Sequence, residues 1–256
     1  VPAPIALQLY TIREDLAKDF AAGVRKIAAM GYRGVETAGF PGTTPQAAAQ
    51  LFKELGLEIP AAHVPLPVAE RRDEVFDSMA QLGCKRIISS PNRDQVQTLD
   101  HVKRACEVFN EVSRAASGHG LTFGLHNHDH EFRLVEGRQP HQVMLELLDP
   151  KIFFEIDTYW VKTAGLDPAV VVKELGPRAP LLHIKDGPAV RGQPMLAVGE
   201  GVMDFQPIVN AGQGSTDWMI VELDECATDM LTAVEKSYRF LVENKLAEGK
   251  ANGKKS

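Results

Sequence analysis

Short β-branched and apolar runs alternate along this chain with longer stretches of helical periodicity, and the alternation repeats eight times. That regularity restricts the fold to a parallel sheet whose strands are joined by right-handed helical crossovers. The strands expected are Ile5–Tyr10, Gly34–Thr37, Glu58–His63, Arg86–Ser89, Thr122–His126, Phe153–Asp157, Leu181–Ile184 and Trp218–Leu223. Between them lie stripes at i, i+3, i+4, i+7, such as Leu16, Phe20, Val24, Ile27 and Ala28, the pattern of a helix packed on one side. Thr44-Pro45 and Asp167-Pro168 place a capping side chain before a first-turn proline. Gly31, Gly56, Gly83 and Gly120 follow helical runs as C-terminal caps do.

Eight repeats favour a closed (β/α)8 TIM barrel over an open doubly wound sheet. No GxGxxG follows the first strand to support the open form. A length of 256 residues suits one such barrel, and no linker or composition shift interrupts it. The expected organisation is therefore one domain over residues 1–246. A polar, Gly/Lys-rich tail over Ala247–Ser256 is expected to be disordered.

Side chains of one parity point into a parallel barrel, whose interior is ordinarily apolar. Here the C-terminal strand ends break that rule. One parity gives Gln8 and Tyr10, then Glu36, His63, His126 and His128, then Glu155 and Asp157, His183 and Lys185, and Glu222 and Asp224. Closure gathers these positions around one axis. Titratable groups at such density need a metal, a shared proton or ion pairs. Carboxylates and imidazoles converging from different strands suit a borderline divalent cation, which would polarise a carbonyl and stabilise an enediolate.

The segments Phe154–Trp160 (FEIDTYW), His183–Asp186 (HIKD) and Val221–Asp224 (VELD) resemble strands 6, 7 and 8 of the sugar phosphate isomerase/epimerase superfamily, the xylose isomerase-like TIM barrels. The loop Val198–Asp204 is also similar. The resemblance implies one divalent metal, Mn²⁺ first, with Co²⁺, Fe²⁺, Mg²⁺ or Zn²⁺ as alternatives. Carried over by position, the ligands are Asp157, His183 and Glu222. The fourth comes from strand 5, where the epimerases carry Glu and this chain reads Leu125–Phe132 (LHNHDHEF). His126 is the candidate there, with His128 and Glu131 as rivals. Loss of the strand 5 glutamate puts two-base epimerisation in question. The HNHDHEF segment resembles a branch associated with dehydration or elimination on keto-sugars.

The reaction implied is proton abstraction α to the carbonyl of a sugar, keto-sugar or cyclitol. The enediolate is then reprotonated (isomerase or epimerase) or loses a β substituent (lyase or dehydratase). The imidazole not used by the metal, His128, is the candidate base, since its ordinary pKa lies near neutrality. Glu222, Lys185 and Glu155 join it as candidate catalytic groups. Lys185 could donate to a substrate oxygen. Glu155 either orients a ligand or pairs with Lys185. Glu36, His63, Trp160 and Glu200 are the candidate substrate contacts, with Tyr159 and Trp160 forming a wall against a sugar face or a subunit contact. Arg191 is the one arginine of the Pro188–Pro194 loop placed to meet a phosphate, but no glycine-rich helix start accompanies it.

A net charge of −6 argues against nucleic acid and hence against a nuclease on the same fold. A non-catalytic sugar-binding or partner subunit remains a competing reading. Cys84, Cys106 and Cys226 are dispersed and odd in number, which speaks against a disulfide framework. No apolar run reaches the roughly 18–20 residues of a membrane span. Apolar residues after strand 6 point to contacts in a homo-oligomer. The chain opens Val1-Pro2-Ala3-Pro4 without Met, which is compatible with a processed N-terminus, and a soluble protein of the cytoplasm or periplasm is expected.

Overall fold

The computed structural model describes residues 2–250. Its strands are β1 (Ile5–Gln8), β2 (Gly34–Glu36), β3 (Ala62–His63), β4 (Arg86–Ser89), β5 (Thr122–His126), β6 (Phe153–Asp157), β7 (Leu181–Ile184) and β8 (Trp218–Val221). They form one parallel sheet in the order β2-β1-β8-β7-β6-β5-β4-β3. Isolated bridges from Gly34 to Glu58 and from Thr37 to Ala62 join the two ends into a near-closed barrel. Pro60 lies between the bridged positions and has no N–H, so a continuous ladder cannot form there. That is why β3 is shorter than the Glu58–His63 strand expected.

The helices are α1 (Arg13–Lys18), α2 (Phe20–Met30), α3 (Pro45–Glu54), α4 (Arg71–Leu82), α5 (Leu99–Gly118), α6 (Pro140–Leu147), α7 (Thr158–Thr163), α8 (Pro168–Leu175), α9 (Phe205–Ala211) and α10 (Met230–Glu243). Asp19 splits the first expected helix in two. Its backbone is extended and its side chain accepts from Ala22 N, which starts α2 afresh. Among the described residues, no helix is long and apolar enough to cross a membrane.

β1 also ends early. The Gln8 side chain accepts from Tyr10 N and turns the chain into a 3-10 helix over Leu9–Ile12. Tyr10 is therefore 43% exposed and lies beneath the Arg13 guanidinium, not inside the barrel. After β6, Tyr159 and Val161 are buried within the chain. They are core residues, whereas Trp160 stays partly exposed and Val170 is exposed.

The polar end differs from expectation as well. Ala247 is buried. Ile5 N donates to Glu248 O at 3.0 Å, Glu248 N to Ala3 O at 2.9 Å, and Lys250 N to Gly31 O at 2.8 Å. Residues 247–250 thus pack against the start of β1 and the end of α2, where backbone groups of Ala3, Ile5 and Gly31 supply partners. The rest of the expected tail, 251–256, lies outside the described residues.

Inside the barrel, Ala6, Ala61, Ile88, Phe153, Leu181, Trp218 and Ile220 form an apolar plug separate from the barrel–helix core. Two glycines make room for its largest rings. A Cβ on Gly124 would run into the Phe153 ring, and one on Gly34 would meet Trp218 at 2.8 Å. Gly124→Ala is accordingly expected to destabilise the fold by about 1–3 kcal/mol through overpacking. In thermal unfolding that is a fall of about 2–4 °C per kcal/mol, and an unchanged midpoint would contradict the tight plug.

Candidate metal centre at the barrel mouth

Above the plug the interior turns polar, and local structure aims each side chain. Asp157 ends β6 and caps α7: its Oδ1 accepts from Trp160 N at 2.9 Å, while Asn127 Oδ1 accepts from Asp157 N at 2.9 Å. These bonds fix the carboxylate and leave Oδ2 without a hydrogen-bond partner, although it is buried. His126 and His183 project inward from β5 and β7, and Glu222 follows β8 directly. One donor atom from each of His126, Asp157, His183 and Glu222 lies within 4.8 Å of the others. His126 Nε2 is 3.8 Å from Asp157 Oδ2, and His183 Nδ1 is 2.9 Å from Glu222 Oε2.

A carboxylate hub sits beneath. Glu155 Oε2 is 2.5 Å from His63 Nε2, 3.1 Å from His183 Nε2 and 3.2 Å from His126 Nδ1. His183 Nε2 also lies 2.8 Å from Glu36 Oε1, which accepts from Gln8 Nε2 at 2.7 Å. His63, His126, Glu155 and His183 form a second group with metal-ligand spacing, sharing two imidazoles with the upper one.

Lys185 is almost fully buried at the mouth. Its Nζ lies 2.7 Å from Glu222 Oε2, 2.7 Å from Asp224 Oδ2 and 3.1 Å from Asp157 Oδ2. The ammonium is held by these carboxylates, not by Glu155 as one expectation had it. Glu155 is turned down towards the imidazoles instead.

Burial and mutual charge set the protonation. Burial disfavours the His183 imidazolium, but Glu155, Glu222 and Glu36 outweigh it and hold the pKa well above the ordinary value. The Glu155 and Glu222 carboxyls are also penalised by burial. The surrounding cations nevertheless hold both well below the ordinary range, His183 and His63 for Glu155, and Lys185 and His183 for Glu222. Burial pushes Asp157 up to about 6 and Glu36 up to about 7. Burial lowers His126 strongly, and burial with Lys185 nearby lowers His128 to about 4. Both of these imidazoles are neutral at pH 7, the form that ligates metals or accepts protons.

Of the residues expected to carry function, the structure gathers His126, Asp157, His183, Glu222, Lys185 and Glu155 in this cluster. His128 stands above it, its ring centroid 5.3 Å from that of His126 and 6.3 Å from that of Trp160. Trp160 also faces Lys185, 5.6 Å from its ring centroid. Glu36 is not at the surface of the site: it is 0% exposed and engaged by Gln8 and His183, so it supports the cluster from below. His63 is partly exposed but bound to Glu155. Glu200 is elsewhere, on the outside, with its carboxylate 2.7 Å from Lys236 Nζ of α10.

Three residues not singled out beforehand organise the rim. Asn127 sets Asp157. Asp186 is fully buried and accepts from the backbone N–H groups of Gly187, Gly199, Gly201 and Met203, which shapes the 198–203 loop. Asp129 is buried and pairs with both Arg133 and Arg191, tying the segment after β5 to the loop after β7. Arg191 is thereby occupied by a carboxylate. Polar residues just beyond β5 and β7 were the only signal for Asp129 and Asp186.

The xylose isomerase-like TIM barrel pattern matches residues 24–243 of this chain. The chain belongs to the xylose isomerase-like TIM barrel family. A sugar phosphate isomerase/epimerase from Parabacteroides distasonis is 26% identical and superposes with a TM-score of 0.82, over 96% of this barrel and 100% of that chain. A probable 3-DHS dehydratase from Bacillus anthracis has a TM-score of 0.72 at 13% identity, over 93% of this chain and 98% of its own. The IOLI protein, solved with a zinc atom, has a TM-score of 0.72 at 15% identity, over 94% and 97%. These last two likenesses speak for the fold alone. No protein of curated function matches the chain in sequence. This xylose isomerase-like barrel thus pairs a sugar phosphate isomerase/epimerase-like structure with a buried imidazole–carboxylate cluster that could bind a divalent metal.

Glu131, just beyond β5, offers a pH test. Burial pushes its carboxyl up to about 8, against hydrogen bonds that lower it. The unfolded chain therefore loses this proton first, and stability falls as pH rises from the ordinary 4.5 to about 8. In metal-free protein, Glu131→Gln should raise the melting temperature relative to the parent at pH 8 and leave it level at pH 4. Equal melting curves at both values would contradict a buried, neutral Glu131.

Proposed function

We propose that this protein is a divalent-metal-dependent isomerase or epimerase that removes a proton α to the carbonyl of a keto-sugar or cyclitol. The observation that carries the reading is the convergence of His126, Asp157, His183 and Glu222, with Asp157 Oδ2 buried and free of hydrogen bonds. A buried carboxylate oxygen with no hydrogen bond, 3.1 Å from the Lys185 ammonium and beside a neutral imidazole, fits a cation. Two imidazoles and two carboxylates suit Mn²⁺, Co²⁺, Fe²⁺ or Zn²⁺, and these four residues would hold the ion. Bound there, it would supply Lewis-acid polarisation of the carbonyl and positive charge for an enediolate.

The remaining roles fall to the chain's own groups. Glu155 sits under His126 and His183 and would fix which ring nitrogens face the mouth. His128, neutral and above the cluster, would accept the α proton. Lys185 would give up one carboxylate partner to donate to the developing oxyanion. Trp160 would supply the apolar wall against which a sugar face lies. The relatives named as sugar phosphate isomerase/epimerases support a sugar-like substrate.

Elimination is the second reading. Strand 5 offers imidazoles where the epimerases offer a glutamate, and the buried Lys185 ammonium would protonate a leaving group. One structural relative is a probable dehydratase.

Incubation with ketohexoses and 3-keto-sugars in D₂O tests both. The expected result is deuterium entering the carbon beside the carbonyl, abolished by a chelator and slowed about 10²–10⁴-fold in His128→Ala. Exchange without loss of water or glycoside supports isomerisation, and exchange with such loss supports the lyase. Binding of a keto-sugar without any exchange would contradict both and favour a sugar-binding protein.

A further inference from the structure

A second constellation lies at the rim, in the turn after β5, and shares no residue with the inner four. His128, His130 and Glu131 each place one donor atom within 4.8 Å of the others. His130 Nε2 lies 3.4 Å from Glu131 Oε2, and the His128 and His130 rings stack with centroids 5.3 Å apart and planes at 9°. The backbone builds this arrangement. A 3-10 turn over His130–Phe132 follows β5, and His128 N donates to Glu131 Oε2 at 3.0 Å, which fixes the carboxylate. Asp129, between the two histidines, is engaged by Arg133 and Arg191 and leaves the cluster to its neighbours.

Three polar atoms here lack hydrogen-bond partners: His128 Nδ1, His130 Nδ1 (4.0 Å from Asp129 Oδ1) and Glu131 Oε1. The Glu131 side chain is only 3% exposed, so water does not relieve its free oxygen. A buried carboxylate oxygen without a partner is costly. A bound cation would give that oxygen a partner. The inner cluster explains none of these atoms, because its ligand set is complete without them.

We propose that His128, His130 and Glu131 form a second divalent-cation site at the rim, suited to a borderline transition ion such as Zn²⁺ or Co²⁺. Two imidazoles among three donors select such an ion over Mg²⁺ or Ca²⁺, which prefer oxygen. Three protein donors leave a coordination position to water, so the rim site is weaker than the inner one and fills second. Its consequence rests on the function proposed above. An ion held through His128 withdraws that imidazole as a base, so filling the rim and accepting a proton at His128 exclude each other. Excess Zn²⁺ then acts as an inhibitor through this site.

Equilibrium dialysis of metal-free, full-length protein against Zn²⁺ tests the proposal, with Co²⁺ absorption as a parallel count. The parent should saturate at two ions per chain in a tight and a weak step. His130→Phe keeps a ring on the stack and should retain the tight step while losing the weak one. Asp157→Ala should do the reverse. Glu131→Gln, checked for native circular dichroism, is the second rim variant and should also lose the weak step. Saturation of the parent at one ion, or two ions in both rim variants, would overturn the rim site. Loss of the tight step in Asp157→Ala with no change in the rim variants would leave the inner centre standing alone.

Discussion

The Glu155 carboxylate is the interaction on which the barrel mouth depends. One oxygen of a fully buried side chain meets imidazoles from β3, β5 and β7. A lone carboxylate at that depth would carry a desolvation cost of several kcal/mol. Here the cost is offset by the charge and hydrogen bonds of His63 and His183. In return Glu155 orients the nitrogens that face upward. Glu36 repeats the device from the other side of His183, itself held by Gln8.

This layering follows from how a parallel barrel is filled. The N-terminal half of the interior is apolar and closed by Phe153 and Trp218, for which Gly124 and Gly34 make room. Strands that begin in that plug end two residues later in charged groups of the same parity: Phe153 is followed by Glu155 and Asp157, Leu181 by His183 and Lys185. The plug denies water access from below, so the charges above must neutralise one another or be neutralised by a cation. Asp186 and Asp129 apply the same rule at the rim, where buried carboxylates gather backbone N–H groups or arginines and hold the loops in place.

Much of this was legible in the sequence wherever strand parity governs. β4, β5, β6 and β7 fall at their expected bounds, and the four ligand candidates converge as their alternation implies. Parity fails where the chain leaves the sheet. Tyr10 continues the pattern of Gln8 on paper, but the Gln8 side chain turns the backbone and Tyr10 goes to the surface. Glu200 sits in a loop, where nothing in the spacing fixes direction, and pairs outward with Lys236. Glu36 was placed at the right strand end but too near the surface, because its partners come from other strands. The Asp129–Arg191 pair spans 62 positions, and only the assembled barrel brings it together.

Elemental analysis of dialysed protein beside Asp157→Ala asks whether the mouth cluster holds a metal. About one tightly held divalent ion per chain in the parent, lost in the variant while its circular dichroism stays native, is the result predicted here. No bound ion in either protein, even after incubation with Mn²⁺, Co²⁺ and Zn²⁺, would rule out a metal centre at the mouth and leave a barrel whose buried charges serve only one another.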